Sequence, residues 1–291
     1  MLRRPSSVAE PDRSNHKVAL KAGMQESQKS ASQRPTFEDY PRWLVQVRGV
    51  NRAMLSSDLY ENTVTNIAAT LKKSQLYATL TGVLPNLRDE YQEQCKQVLF
   101  HASSAININE KSHRSFLLKT YRKNIKDNES FPDAPKGGWL LPANWFEKIN
   151  DVVRTELVAK YLDGAKFIGK RLESLLSPAP SINFEARESG YYAIHIIASF
   201  MAKIQTEPLV YLEIAVPFEI QITTQLQEVM RSLTHPAYER AREAPPPVTA
   251  EVWQWDYNSE AFSLNYLGHM LRYIEGAIMQ IREKREHDAN Y

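Results

Sequence analysis

Residues 210–222 constrain this chain most. They form an apolar run that contains an acid and an amide two positions apart, Glu219 and Gln221. Side chains alternate between the two faces of a strand, so Glu219 and Gln221 share one face while Ile220 and Ile222 share the other. The isoleucine face predicts a place in the core, and the polar face predicts the lining of a cleft.

A glycine turn comes before this run and leads into a second, mostly apolar stretch. Glu188-Ser-Gly190 is followed by Tyr191, Tyr192 and residues 193–197. Two adjacent tyrosines at the start of a strand offer a flat aromatic surface on which a purine can stack. The alternative is a pair of aromatic side chains buried in the core.

Predicted strands and helices follow one another as in an α+β domain, with a mixed β-sheet flanked by helices. The sequence predicts strands near 152–161, 181–184, 191–200, 209–216 and 218–223. It predicts helices near 163–176 and 224–242, and a loop at 127–144.

Apolar side chains recur at helical spacing in residues 51–100, which predicts two or three helices interrupted near Gly82 and Pro85. The last helix is predicted at 259–286. The residues predicted to face inward on it, or to fix it to the body, are Phe262, Leu264, Leu267, Leu271, Ile274, Ala277, Ile278 and Ile281, with Trp253 and Trp255 before it.

The domain predicted from these patterns spans 37–243, with a helical part at 37–128 and a sheet part at 145–243. Residues 1–36 are poor in large apolar side chains, and we expect them to be disordered. Residues 244–291 begin with Ala-Pro-Pro-Pro and predict a C-terminal helical extension.

Composition describes an ordinary globular chain, with 43% apolar residues and a net charge of +2 over 291 residues. Attraction for phosphate or nucleic acid therefore has to come from local clusters of charge. The single cysteine, Cys95, excludes a disulfide framework within the chain. The sequence shows no apolar run of membrane-spanning length and no secretory signal pattern, so we expect a cytoplasmic protein without a membrane partner.

Common catalytic motifs do not occur in the sequence. There is no GxxxxGK phosphate loop, no GxGxxG dinucleotide turn, no GxSxG nucleophile turn and no HExxH zinc motif. These absences argue against P-loop, Rossmann, α/β-hydrolase and zincin chemistry.

Residues 111–126 carry six lysines and arginines and no acid. Lys111, Ser115 and Lys119 are four positions apart, so they form one stripe on a helix whose N-terminus Ser112 can cap. A stripe of ammonium groups at a helix N-terminus suits a chain of phosphates. The alternative is a solvated basic face.

Two acids are predicted on different strands. Asp151 lies at the entry of the first long strand, and Glu219 lies inside the last. Two carboxylates that converge in a cleft are typical of a Mg²⁺ site when phosphates are also bound. Either acid can instead be a strand-end group or a member of a salt bridge.

Four of these segments, in this order, resemble the motifs of RelA/SpoT-type alarmone synthetase domains. Ser189-Gly-Tyr-Tyr-Ala-Ile-His195 resembles the GYRSIH loop, and Glu219-Ile-Gln-Ile-Thr-Thr224 with the later His235 and Tyr238 resembles the EIQIRT block and its H-x-x-Y. Lys111-Ser-x-x-Ser-x-x-x-Lys119 resembles the RxKSxxSxxxK segment, and Asp151 resembles the acid that opens the DxxGxR strand.

The resemblance implies a nucleotidyltransferase-like synthetase fold with an N-terminal helical region and a C-terminal helix. It also implies transfer of pyrophosphate from ATP to the 3′-hydroxyl of GDP, GTP or a related purine nucleotide. Asp151 and Glu219 would be the catalytic pair that holds Mg²⁺, and Glu219 would orient or deprotonate the attacking hydroxyl. The nucleotide-binding residues implied are Lys111, Ser115 and Lys119 on phosphate, Tyr191 on the acceptor base, and Gln221 and His195 in supporting positions.

Several positions depart from the family motifs. Asn109, Tyr192 and Thr223 stand where the family has arginines, and Arg154 and Glu156 stand where its strand has glycine and arginine. Bidentate guanidinium contacts to phosphate are not easily replaced. Either the substrate differs, or nearby arginines substitute, for which Arg114, Arg122 and Arg154 are the candidates.

Three functional hypotheses remain open from the sequence. The first is a pyrophosphokinase acting on a purine nucleotide. The second keeps this chemistry but uses the 3′ end of tRNA as acceptor, with the basic run 111–126 on the RNA backbone. The third is a catalytically degenerate nucleotide-binding regulator. The chain shows no hydrolase domain, so unopposed synthesis suggests a toxin-like protein or one controlled by an antitoxin or regulatory partner.

Overall fold

The computed structural model describes residues 33–100, 105–207, 210–243 and 252–289. The chain divides into two compact units. One consists of Met1–Arg52 and Lys119–Leu140, as far as these are described, and the other of Ala53–Leu118 and the residues from Leu141 onward. The division predicted from sequence, with a helical part at 37–128 and a sheet part at 145–243, stays a prediction. Of the predicted disordered tail, residues 1–32 lie outside the described part.

The first unit is built around a buried asparagine. Helix α1 (Tyr40–Arg48) packs its aromatic side chains inward, and Tyr40 is fully buried. The Asn124 amide donates to the Tyr40 hydroxyl at 2.7 Å and to the Leu140 carbonyl at 2.9 Å, and its oxygen accepts from the Leu140 amide at 2.9 Å. These bonds satisfy a buried polar group and fix the end of the predicted loop, which is confirmed.

The second unit begins with two long helices, α2 (Ser57–Lys72) and α3 (Gln75–Cys95). The predicted interruption near Gly82 and Pro85 is wrong, because α3 runs through both residues. A proline inside a helix removes one backbone hydrogen bond at a cost of about 3 kcal/mol. The helix persists because it buries one face, formed by Leu80, Leu84, Leu87 and Tyr91.

A mixed five-stranded sheet forms the centre of this unit among the described residues, with the strand order β1-β2-β5-β4-β3. Strands β2 and β5 are parallel, and the other neighbours are antiparallel. The strands are β1 (Asn109–Glu110), β2 (Val153–Ala159), β3 (Ser181–Ala186), β4 (Tyr192–Glu207) and β5 (Val210–Thr224). The predicted α+β class with a mixed sheet is confirmed.

Two predicted strands are in fact one. Residues 209–216 and 218–223 were predicted as separate strands, but β5 is continuous through Pro217 and pairs along its length with β4. Proline cannot donate to a neighbouring strand. Strand β2 pairs with β5 only from Phe218 onward, so the chain at Pro217 has a strand partner on the β4 side alone.

The helices between and around the strands include α4 (His113–Tyr121), the short α5 (Trp145–Lys148) and α6 (Leu162–Leu175). Helix α4 begins in the second unit, ends in the first and continues as a wider turn to Lys126. The strand predicted near 152–161 is confirmed by β2, which follows the helical turn α5. The predicted helix 163–176 is confirmed by α6.

The two faces of the sheet differ in polarity. Residues of β2 alternate between buried and half-buried, with Val153 and Leu157 inside and Arg154 and Glu156 on the more open side. Ile194 of β4 lies on the apolar face, where it meets α6 closely at Gly169. The apolar face is therefore the core, and the polar face is left to form a cleft.

The last helices are α7 (Gln225–Glu243) and α8 (Glu260–Ala289). The existence of the final helix is confirmed, and its predicted inward face holds in part. The half-buried members of that face are Phe262, Leu264, Leu271, Ala277 and Ile278. Leu267, Ile274 and Ile281 are 38–54% exposed, whereas Asn265 and Glu275 are buried. Helix α8 packs through small and polar residues because these make specific contacts with the glycine turn and the strand end.

Of the two tryptophans before α8 that were predicted to fix this helix to the body, one does so and the other does not. Trp253 packs its ring against Tyr266 of α8 at 5.3 Å between ring centres, as expected of a residue that fixes the helix. Trp255 does not, since it is 76% exposed. In the described part of the chain, every helix is too short or too polar to cross a lipid bilayer.

Candidate active site

The polar face of the sheet brings together side chains from three strands. Glu219 of β5 is paired with Arg154 of β2, and Gln221 is paired with Glu156 on one side and with His195 of β4 on the other. Paired residues point to the same face. The prediction that Glu219 and Gln221 share a face is therefore confirmed.

A chain of contacts runs from the glycine turn to Glu219. The amide nitrogen of Gln221 donates to Glu219 Oε1, and His195 Nδ1 lies 3.5 Å from the same oxygen. The Tyr191 hydroxyl lies 3.0 Å from His195 Nε2. The two ring nitrogens of His195 therefore face Tyr191 and Glu219, one on each side.

Burial keeps the middle of this chain neutral. It lowers the pKa of His195, and the nearby Glu219 charge opposes that shift. Burial also raises the pKa of Tyr191 to about 12, partly offset by the positive charges of Arg231 and Arg187. At neutral pH, Tyr191 is thus a hydrogen-bond donor and His195 an uncharged imidazole that orients Glu219.

Asp151 lies in the turn before β2 and is paired with Lys111. The Lys111 Nζ is 3.0 Å from Asp151 Oδ2, and their side chains are 15% and 12% exposed. The Lys111 backbone amide donates to the Val152 carbonyl at 2.9 Å, which fixes the pair against the start of the strand. The negative charge of Asp151 also acts on His195, so Asp151 lies in the electrostatic neighbourhood of the same site.

A magnesium ion at Asp151 and Glu219 would need ligands from the substrate. Asp151 lies in the turn three residues before Arg154, which is the β2 partner of Glu219. In the part of the chain that the structure describes, no cluster of three acids, histidines or cysteines could hold a metal. Carboxylate oxygens suit Mg²⁺, which commonly takes one or two of them together with phosphates and water.

The predicted phosphate stripe is divided between the two units. Ser112 caps α4, since its hydroxyl accepts from the Ser115 amide at 3.4 Å and contacts the Ser115 hydroxyl at 3.0 Å. The predicted cap is confirmed. Lys111 and Ser115 belong to the unit that contains the sheet, and Lys119 belongs to the other.

A cleft of about 520 Å³ opens on the polar face. Gln221 lines it, as the sequence predicted, whereas the buried Glu219 is not one of its lining residues. The cleft lies between the sheet and α7, and its walls carry several charged side chains. The lining residues are Asn109, Arg154, Thr155, Glu156, Gln221, Glu228, Arg231, Ser232 and Pro236. Three of them, Asn109, Arg154 and Glu156, are positions where the sequence departs from the family motifs.

Arg231 is the residue of this cleft that sequence reasoning missed. Its guanidinium makes an ion pair with Glu156 across the cleft, and it lies close enough to Tyr191 to lower that residue's pKa. Glu228, Arg231 and Ser232 are spaced three and four apart, which puts them on one polar face of α7. That spacing could have identified the helix face that looks onto the strands.

The remaining predicted positions have these places. Thr223 and Thr224 are buried at the end of β5, and the Thr224 hydroxyl accepts from the Gln227 amide at 3.3 Å, which caps α7. The side chains of His235 and Tyr238 lie outside the described residues.

Comparison with known proteins gives structural matches only. No family model and no curated protein sequence matches the chain. Small alarmone synthetase 1 of Bacillus subtilis bound to its product pppGpp matches with a TM-score of 0.47 and 15% identity, over 72% of this chain and 94% of that one. Small alarmone synthetase 2 of the same organism matches with 0.44 and 16%, over 73% and 99%.

A GTP pyrophosphokinase family protein of Streptococcus pneumoniae matches with a TM-score of 0.43 and 15% identity, over 78% of this chain and 93% of that one. These proteins are of the kind that the sequence motifs resemble. Similarity of this degree does not identify an activity, so the residues of the site have to carry the functional argument.

Proposed function

We propose that the chain is an ATP-dependent pyrophosphokinase that transfers pyrophosphate to the 3′-hydroxyl of a purine nucleotide, with GDP or GTP as the first candidates. The observation that carries the proposal is the buried Glu219 carboxylate, which accepts a hydrogen bond from Gln221 on the polar face of the sheet. Gln221 in turn lines the cleft that contains two guanidinium groups. A fixed carboxylate beside positive charge suits deprotonation of a hydroxyl that attacks a polyphosphate.

Glu219 takes the part of general base in this reaction. Its Oε1 accepts from Gln221 and lies 3.5 Å from His195 Nδ1, and we assign Oε2 to the acceptor hydroxyl. The 3′-oxygen forms a bond to the β-phosphorus of ATP, the bond from that phosphorus to the α-phosphate oxygen breaks, and AMP leaves. The hydroxyl proton goes to Glu219.

Phosphate binding falls to the cationic side chains around the cleft. Arg154 and Arg231 line it, and guanidinium groups bind phosphate oxygens in bidentate fashion. Lys111 and Ser115, in the unit that contains the sheet, keep their proposed role on the phosphate chain. Asp151 and Glu219 would hold Mg²⁺, which would neutralise charge on the transferred group.

The acceptor base is assigned to Tyr191. Its hydroxyl is held by His195, and the Arg187 guanidinium lies 5.1 Å from its ring centre. A tyrosine fixed at both its ring and its hydroxyl offers a rigid surface for a purine.

Labelled ATP tests the proposal. Purified protein is incubated with α-, β- or γ-labelled ATP and with GDP, GTP, ATP or bulk tRNA as acceptor. We expect β- and γ-label to appear on a purine nucleotide and α-label to remain in AMP. The Glu219→Gln variant should lose transfer by roughly 10²- to 10⁴-fold, the usual contribution of a general base.

Glu213→Gln is the matched control, because Glu213 lies on the same strand with an exposed side chain. It should transfer like the unchanged protein. Label on tRNA alone would show that the acceptor is RNA and not a free purine nucleotide. Nucleotide binding without label on any acceptor, or full activity of Glu219→Gln, would contradict the proposal.

A further inference from the structure

Helix α8 touches the glycine turn through two glycines. A Cβ built on Gly190 would come within 2.7 Å of the Asn265 carbonyl oxygen and 2.8 Å of the Gly268 Cα. A Cβ built on Gly268 would come within 2.7 Å of the Gly190 carbonyl oxygen. Backbone packs directly on backbone here, and only glycine at both positions permits it. Gly190 also has a φ of 73°, in the left-handed region that favours glycine.

His269 joins the two sides of the same turn. Its Nε2 lies 3.0 Å from the Glu188 carbonyl oxygen, and its Nδ1 lies 2.9 Å from the Tyr192 hydroxyl. A carbonyl oxygen only accepts, so Nε2 carries a hydrogen and donates it to Glu188, while Nδ1 bonds the Tyr192 hydroxyl. One imidazole thus bonds a residue before Tyr191 and the residue after it.

Helix α8 also contacts Tyr192 and the end of β5. The Arg272 guanidinium lies 4.9 Å from the ring centre of Tyr192. The buried Glu275 carboxylate accepts from the Thr224 hydroxyl, three residues beyond Gln221. The polar face of α8 therefore contacts both segments that carry the candidate site.

We propose that Gly268 and His269 are positioning residues for Tyr191, so that the C-terminal helix is a working part of the acceptor site. The proposal rests on the proposed function, since it concerns the base-stacking role given to Tyr191. Tyr191 lies between two residues that α8 holds, Gly190 and Tyr192. With both neighbours fixed, the ring has one direction before the acceptor arrives, and binding does not have to order it.

Two glycines of α8 supply a matched pair of variants. In Gly268→Ala the new methyl group meets the backbone of Gly190, whereas in Gly276→Ala it meets nothing within 4 Å. Both changes favour the helix equally, because alanine is the better helix former. Any difference between them therefore reports the contact with the turn.

Steady-state kinetics with labelled ATP give the first measurement. We expect Gly268→Ala to raise KM for the purine nucleotide by roughly tenfold to a hundredfold, the range that a misplacement of about 1 Å can cause. KM for ATP should stay close to that of Gly276→Ala. An equal loss for both substrates, or no loss, would overturn the assignment.

Hydrogen exchange of the turn gives a second measurement that does not depend on activity. The Gly190 amide donates to the Arg187 carbonyl at 2.9 Å, and the Arg187 amide donates to the Tyr191 carbonyl at 3.0 Å. Both amides should exchange faster in Gly268→Ala than in Gly276→Ala. Unchanged exchange would overturn the proposal, and faster exchange in a protein that labels no acceptor would overturn the proposed function but not the contact.

Variants of His269 keep the proposal testable should Gly268→Ala not fold. His269→Ala removes both hydrogen bonds and should raise KM for the acceptor, whereas His269→Gln can still donate to one oxygen and accept from the other. Rescue by glutamine supports positioning through these bonds. Identical behaviour of alanine and glutamine variants, both like the unchanged protein, would contradict it.

Discussion

His195 lies between the Tyr191 hydroxyl and the Glu219 carboxylate, and its ring is uncharged at neutral pH. Burial, as the largest cause, lowers its pKa below the usual value of about 6.5. Below pH 6.5 the unfolded chain therefore binds a proton that the folded chain does not. The free energy of unfolding should fall as the pH drops from about 6.5 through the lowered pKa. The charged and titratable groups that face it are Tyr191, Glu219, Glu185, Arg187 and Asp151.

The measurement is the melting temperature between about pH 7.5 and 5 for the protein and for His195→Gln, which has no proton to gain at this position. The unchanged protein should lose more of its melting temperature over this range. Parallel plots of melting temperature against pH would show that His195 has the same pKa in the folded and the unfolded chain.

At this scale the sequence predicted correctly that Glu219 and Gln221 share a face, because side chains alternate along a strand. His195 was named only through the family resemblance, and Arg231 was not foreseen. The ion pair of Arg231 with Glu156 joins a helix and a strand 75 residues apart in sequence. Such a contact depends on how the helix packs on the sheet.

At the scale of the element, helix α3 shows why a proline and a glycine did not interrupt the helix as predicted. Pro85 and Gly82 are both exposed, and the helix is held by its opposite, buried face. Pro85→Ala should therefore restore a helical hydrogen bond and stabilise the protein by about 1–2 kcal/mol. The expected gain is what remains of the ~3 kcal/mol helix cost of proline after the loss of its restraint on the unfolded chain.

Urea unfolding with Gly82→Ala as control checks this. The control has no side chain within 4 Å of its new methyl group and should gain about 0.5–1 kcal/mol. Destabilisation by Pro85→Ala would mean that the proline makes a contact that the helix needs.

The predicted apolar inward face of helix α8 describes its packing incompletely. Its apolar pattern is regular, and a regular apolar face normally predicts burial. The structure buries Asn265, Gly268 and Glu275 fully and leaves the predicted apolar face half-buried or exposed, because close backbone approach and specific hydrogen bonds decide the packing. Periodicity measures apolar area and carries no information on such contacts.

The molecule as a whole uses α8 at two separate places. Near its start, Gly268 and His269 hold the turn of the candidate site. About 14 residues later, or about 21 Å along the helix, Arg282 pairs with Asp163 of α6 at 3.1 Å. The Tyr91 hydroxyl of α3 donates to the same carboxylate at 2.8 Å, so three helices meet in one polar cluster.

Arg282→Met should separate stability from activity, because it removes the second contact and leaves the first. Asp163 then loses its guanidinium partner, and we expect a loss of about 1–2 kcal/mol in the free energy of unfolding. KM for the acceptor should remain unchanged. The control is Arg285→Met, an exposed residue on the same helix, for which the change should stay within about 0.5 kcal/mol. An altered acceptor KM in Arg282→Met would show that the two ends of α8 are coupled. The glycine turn would then depend on the whole helix and not only on its contacts with Gly268 and His269.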